Sequence, residues 1–181
     1  KGVSLTFEVE NSKNKIEVFT TRPDTIFGVS FLTVAPEYSD LHDICNADNR
    51  VSIESYIKKV SIKSERDRLA DVKTMSGVFS GSYAIHPFSG KKIPIWISDY
   101  VLGSYGTGAV MGVPAGDQRD FEFAKKFNLE IPNIFDKINI TESAFSDKTG
   151  FKLINSEFLD GCMQFYFLQM IHQVEILQYH V

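Results

Sequence analysis

Cysteine is nearly absent from this chain of 181 residues: Cys45 and Cys162 stand alone, without Cys-x-x-Cys spacing. Such a pair makes no disulfide framework, and a reducing compartment is the expectation. Histidine is scarce and scattered at His42, His86, His172 and His180, with only His42 close to a cysteine. Structural zinc needs about four converging ligands, so no metal site is expected. No apolar run is long enough to span a bilayer, and no charged-then-apolar leader opens the chain. The expectation is therefore a protein without a membrane partner, in the cytoplasm or alternatively an organelle. An excess of positive charge is also missing: 19 Lys and Arg face 23 Asp and Glu, for a net charge of −4. That balance argues against a protein built to hold long nucleic acid by its phosphates. A pocket for one nucleotide end remains compatible with it. The pairs Lys58-Lys59, Lys91-Lys92 and Lys125-Lys126 read first as solvated surface.

Common site motifs are missing as well. Gly103, Gly106, Gly108 and Gly112 invite a phosphate-loop reading, but no Gly-Lys-Ser/Thr follows. In the dinucleotide fingerprint the third glycine should fall at position 111; Gly112 comes one residue late and leads into a strand pattern. Gly-x-Ser-x-Gly is absent, so no hydrolase nucleophile elbow exists, and covalent catalysis has no obvious candidate.

What is present suits a well-packed domain: 43% of residues are hydrophobic and 13% aromatic. The length fits one domain, 1–181, with residues 162–181 set apart as a tail of uncertain role. Residues 2–10 and 14–20 alternate around Asn11–Asn14, a hairpin pattern that begins mid-strand, as if cut from something larger. A third, more buried strand is expected over 26–35. Helices are expected near 37–46, after Pro36, and near 52–60, with Ser52 as N-cap. Residues 61–76 are charged and irregular. Strand patterns return at 78–79, 83–86, 92–97, 100–102 and 109–113, and Asp117 opens a helix. The fold class this implies is α+β, a curved β-sheet or β-barrel core with flanking helices.

Between the second and third strand patterns lies TTRPDT, residues 20–25. Its proline breaks the strand and is followed by an acidic and a hydroxyl side chain. Threonine is at home in strands, Arg22 and Asp24 can pair across a turn, and Asp117 and Asp120 suit an N-cap and the third helical position. From spacing alone, these residues define a polar cleft without an assigned chemistry.

TTRPDT, then GSYAIHPFSGKKIPIWISDYVL at 81–102 and YGTGAVMGVPAGDQRDFEFAKKFNL at 105–129, resemble the editing domain of bacterial-type leucyl-tRNA synthetase. This domain, also called connective polypeptide one, has valyl and isoleucyl relatives that share the threonine-rich segment. The likeness runs from about residue 3 to 161, and the HIGH and KMSKS signatures of the synthetic core are absent. It implies a hydrolase that cleaves the ester of mischarged tRNA-Leu carrying norvaline or isoleucine while excluding leucine. The implied partners are the 3′-terminal adenosine of that tRNA and the rest of a parent synthetase, with the domain otherwise a monomer. No cofactor is implied for editing; ATP and Mg belong to the synthetic core.

Residue by residue, the resemblance assigns Thr25 to blocking leucine's γ-methyl groups and Asp120 to pairing with the α-ammonium. Thr20 and Thr21 match hydroxyls that hold the ester region and position water. Arg22 matches an arginine near the terminal nucleotide, Tyr105 a contact to the terminal adenosine, and Met111 and Val113 the lining of the amino-acid pocket. Asp24 and Asp117 are supportive. Two departures stand out. Gly116 occupies the place where the family usually has histidine before DQRD, and the tail CMQFYFLQMIHQVEILQYHV carries a single charged residue, Glu175, where the family shows a charged helix. The first departure motivates the alternative of a catalytically weak module that binds the aminoacylated 3′ end.

Overall fold

A computed structural model describes residues 2–62, 67–68, 75–104, 106–147 and 150–162. Tyr105, most of the 61–76 connection and the tail beyond Cys162 lie outside the described residues. The chain forms two compact units, residues 1–21 with 29–112, and residues 22–28 with 113 onward.

In the first unit, alternation builds a hairpin. Strand β1 (Val3–Val9) pairs antiparallel with β2 (Lys15–Thr20), and Phe7, Val9, Ile16 and Val18 point inward, all buried. Asn11 turns the hairpin at φ 55, a left-handed conformation that asparagine tolerates better than most residues. Four further strands complete a mixed sheet: β3 (Phe31–Val34), β4 (Gly77–Ile85), β5 (Lys92–Ser98) and β6 (Ala109–Gly112). Their order is β2-β1-β4-β5-β3-β6, and β3–β5 is the parallel pair. All four residues of β3 are buried, Thr33 included, as expected of a strand covered on both faces. The hydroxyl of Thr107, just before β6, donates to the Glu17 carbonyl oxygen of β2, so the sheet curls until its two edges approach. No ladder joins β2 to β6 among the described residues, and the curved sheet expected from sequence stays open rather than closing as a barrel.

Local departures from the sequence pattern have identifiable causes. The strand expected over 26–35 is shorter, because Pro23–Gly28 winds as a 3₁₀ turn first. The helix expected over 37–46 shrinks to α1 (Leu41–Ile44), where no side chain caps the N-terminus. Helix α2 (Arg50–Val60) begins two residues before the expected Ser52 cap; Asn46 caps a preceding 3₁₀ turn, Ala47–Asn49, which delivers the chain into it. Residues 100–102 are not a strand. The patterns at 78–79 and 83–86 are one strand interrupted by a register shift around Gly81, whose φ is +79. Tyr56 of α2 fastens the helix to the sheet: its hydroxyl lies 2.9 Å from Ser76 Oγ and accepts from the Asp99 N–H at 3.0 Å. Burial pushes this phenol up to about 12.

Gly112, opposite Phe31 in the β3–β6 register, has no room for a side chain: a Cβ there would lie 2.4 Å from the fully buried Phe31 ring. Overpacking of this kind costs about 1–3 kcal/mol. Gly112→Ala is therefore expected to lower the unfolding free energy by that amount, seen as a lower urea midpoint at unchanged m-value, with Phe31→Leu in the same chain recovering part of the loss.

Candidate functional site

The second unit is built on the 3₁₀ turn Pro23–Gly28 and on the segment from Val113 onward. Pro23 presets the turn's backbone at a position where a missing N–H costs nothing. Arg22 and Asp24 then close on each other. Arg22 Nε donates to Asp24 Oδ1 at 3.0 Å, and Nη2 donates to Oδ2 at 2.9 Å. This two-pronged contact is the strong form of an arginine–carboxylate pair. The Asp24 side chain is 2% exposed and that of Arg22 20%, so the pair is largely shielded from water. The guanidinium also lies 5.7 Å from the centre of the Phe151 ring. Phe151 packs edge-on against Phe135 and Phe145, giving the turn an aromatic floor.

Thr25 is buried, and its hydroxyl donates to the Arg22 carbonyl oxygen at 2.8 Å. That bond fixes the side-chain rotamer and hence the direction of its methyl group. The turn ends at Gly28, where a Cβ would meet Ile134 at 2.9 Å and Val113 at 3.1 Å. Glycine lets the turn settle directly on Val113.

Val113 is also where Asp120 attaches. Helix α3 (Gln118–Phe127) starts as sequence periodicity predicts: the Asp117 carboxylate accepts from the N–H groups of Arg119 and Asp120 at 2.9 and 3.2 Å. Asn128 ends it in a left-handed conformation, its N–H reaching back to Ala124 and Lys125. Asp120, in the first turn, is buried, and its Oδ2 accepts from the Val113 N–H at 2.8 Å. The Val113 carbonyl accepts in turn from Gly116 and Asp117. So Val113 is the common neighbour of the Thr25 turn and of the Asp120 carboxylate. A negative charge at this end of a helix is favoured by the aligned peptide dipoles. Gly116 is not forced by packing: a Cβ there would sit 3.4–3.8 Å from Phe135 and Val113, ordinary contact distances.

Of the residues singled out in the sequence, the second unit thus brings together Arg22, Asp24, Thr25, Val113, Asp117 and Asp120. Thr20, at the end of β2, is buried; Thr21 is exposed and Met111 in β6 is half-buried, and all three belong to the first unit. Sequence patterning missed Gly28, Phe135 and Phe151 as supports of the turn. The signal for Gly28 was available as a glycine closing the Pro-Asp-Thr segment; nothing in the local sequence marks the two phenylalanines. No group of three metal-ligating side chains occurs among the described residues.

An α+β domain with a mixed six-stranded sheet and a braced threonine-bearing turn is the class that these features define. Comparison with known proteins then specifies it. A family model described as "Leucyl-tRNA synthetase, editing domain" matches residues 1–175. Leucine–tRNA ligase of Christiangramia forsetii is 55% identical over 160 residues, covering 88% of this chain and 17% of its own length. That of Flavobacterium johnsoniae is 52% identical over 165 residues, again covering 88% of this chain and 17% of its own length. A crystal structure of the ternary complex of an Agrobacterium radiobacter LeuRS with tRNA and LeuAMS superposes with a TM-score of 0.65 at 32% identity, over 80% of this chain and 17% of that one. The chain belongs to the leucyl-tRNA synthetase editing-domain family. It spans about a sixth of the length of these relatives.

Arg22→Ala would leave the buried Asp24 carboxylate without its cation. Breaking a fully buried pair costs about 3–5 kcal/mol, and the partial exposure of Arg22 reduces the expectation here to about 2–3 kcal/mol. Arg22→Lys keeps the charge but not the two-pronged geometry and should fall between wild type and alanine in a denaturant titration.

Proposed function

We propose that this domain hydrolyses the ester joining a non-leucine amino acid, norvaline or isoleucine, to the 3′-terminal adenosine of tRNA-Leu, and spares the leucyl ester. The chemistry calls for such a step because a missing or shifted methyl group changes pocket affinity by only about 1–3 kcal/mol, too little for accurate aminoacylation by one site. Leucine and isoleucine are isomers, so a second site cannot sort them by volume. It needs a fixed obstacle that meets the γ-branch and passes other shapes.

The observation that carries this reading is Thr25. A threonine free to rotate would be a poor obstacle; one tied through its hydroxyl to Arg22 O, on a turn braced by Arg22 and Asp24, is a rigid one. Asp120 supplies the complementary element, a buried carboxylate on the first turn of α3, suited to an α-ammonium. Val113 lines the same neighbourhood, and Asp117 supports it by capping α3. Arg22, Tyr105, Met111, Thr20 and Thr21 take the parts that the family resemblance gives them, the two threonines as hydroxyls that orient the ester and water.

In this mechanism water attacks the ester carbonyl carbon, the bond to the ribose oxygen breaks, and the proton lost by water ends on that oxygen. None of the named side chains is an obvious general base. Positioning of the water and assistance from the vicinal ribose hydroxyl provide the acceleration, with donors directed at the developing oxyanion.

Two substitutions test the assignment in a deacylation assay that compares norvalyl-, isoleucyl- and leucyl-tRNA-Leu. Thr25→Ala removes the obstacle and should raise hydrolysis of the leucyl ester by about 10- to 200-fold, leaving norvalyl hydrolysis close to wild type. Asp120→Asn keeps an oxygen that can accept from Val113 N–H and so keeps the fold, but loses the charge. Its kcat/KM for norvalyl-tRNA should fall by about 100-fold or more, as for a truncated charge pair. An Asp120→Asn variant with full activity would refute the ammonium role. Tight binding of mischarged tRNA without turnover by the wild type would instead make the domain a capture module.

A further inference from the structure

Among the described residues of the second unit, Phe158 is the one exposed large apolar side chain, at 60% exposure. A single exposed phenylalanine is unremarkable by itself. Its mounting is what sets it apart. Residues 153–162 form a closed loop whose ends bind each other: Gly161 N–H donates to Leu153 O at 2.8 Å, and Leu153 N–H to Cys162 O at 3.1 Å. Inside the loop, the fully buried Ser156 receives both kinds of anchor: its N–H donates to Asp160 Oδ1 at 2.6 Å and its hydroxyl to Ile154 O at 2.9 Å. Leu159 is plugged inward at 1% exposure, while its neighbour Phe158 is turned out. Holding that arrangement requires left-handed backbone at Asn155 (φ 54), which asparagine tolerates, and at Glu157 (φ 50), where a glutamate seldom adopts it. Strain kept beside an exposed group is a recurrent mark of a working surface.

Phe158 is not isolated. Its ring meets Phe27 edge-on, centroids 5.2 Å apart at 78°. Phe27 is part of the 3₁₀ turn that carries Thr25 and is two residues beyond it. The exposed ring is therefore braced directly by the turn on which discrimination is proposed to rest.

We propose that Phe158, braced by Phe27, is a stacking platform for an unpaired nucleobase of the tRNA 3′ end; this rests on the reading that such an end is the domain's substrate. Single-stranded nucleic acid is commonly held by bases laid on aromatic faces, without need of sequence readout. Charge also separates base from phosphate here: Glu157, adjacent to Phe158, and Asp160, two residues on, are acidic and would repel a phosphate but not the face of a neutral base.

Phe158→Ala, Phe158→Leu and Phe158→Tyr are compared with wild type in two assays. One is equilibrium binding of an uncharged single-stranded oligonucleotide ending in CCA; the other is deacylation of norvalyl-tRNA-Leu. Phe158→Ala should weaken oligonucleotide binding by about 5- to 100-fold, with the deacylation defect falling on KM rather than kcat. Tyrosine should restore both and leucine neither, because apolar bulk without a ring does not stack. An unchanged Kd in the alanine variant, or full recovery by leucine, overturns the platform. The two proposals fail separately: a wild type that binds the oligonucleotide through Phe158 but never deacylates loses hydrolysis and keeps the platform, whereas normal deacylation with a KM indifferent to Phe158 does the reverse.

Discussion

The second unit depends on one contact, the fork between Arg22 and Asp24. A carboxylate as deeply shielded as Asp24 is costly to bury unless a cation meets it in good geometry. Separated by a single proline, the two residues are held at short range before any tertiary contact forms. The pair converts a polar break between two strands into a fixed turn. Everything assigned to Thr25 follows from that fixity, since its hydroxyl is tied to the carbonyl of the same arginine.

Val113 distributes that rigidity. Its N–H is spoken for by Asp120, its carbonyl by the loop that leads into α3, and its side chain packs where Gly28 leaves space. A threonine on a turn and a carboxylate on a helix are thereby referenced to one residue. A buried carboxylate that also accepts from backbone is well oriented, because part of its hydrogen-bonding capacity is committed to the fold. Gly116 marks a contrast. The backbone there leaves ordinary contact distance for a Cβ, so glycine is not demanded by close packing at that atom.

Much of this was legible in the sequence, and the physical reasons differ from element to element. The hairpin of β1 and β2 was readable because one face is buried and the period is two. The start of α3 was readable because an N-cap aspartate announces itself locally. The strand expected over 26–35 was misjudged because an apolar run after a proline suits a 3₁₀ turn as well as a strand. Ser52 was misjudged because a polar residue before an apolar stripe is only one of several possible starts, and here the 3₁₀ turn capped by Asn46 leads the chain into the helix two residues earlier. The roles proposed for Thr25 and Asp120 come from the long ordered motifs of the family and not from spacing. Phe135 and Phe151 could not be anticipated, since their service to Arg22 is a contact between positions far apart in the chain.

The path of the chain imposes an order of assembly. Residues 22–28 leave the first unit for seven positions and the strand after them returns to it; the rest of their own unit begins only at Val113. On a ribosome the turn emerges long before the helix, loop and aromatic floor that complete its surroundings exist. The sheet can mature in the interval, apart from its last strand, but the turn must wait for Val113 and the residues after it. Until residues 113 onward are made, a nascent chain carries the Arg22–Asp24 turn without the unit it belongs to.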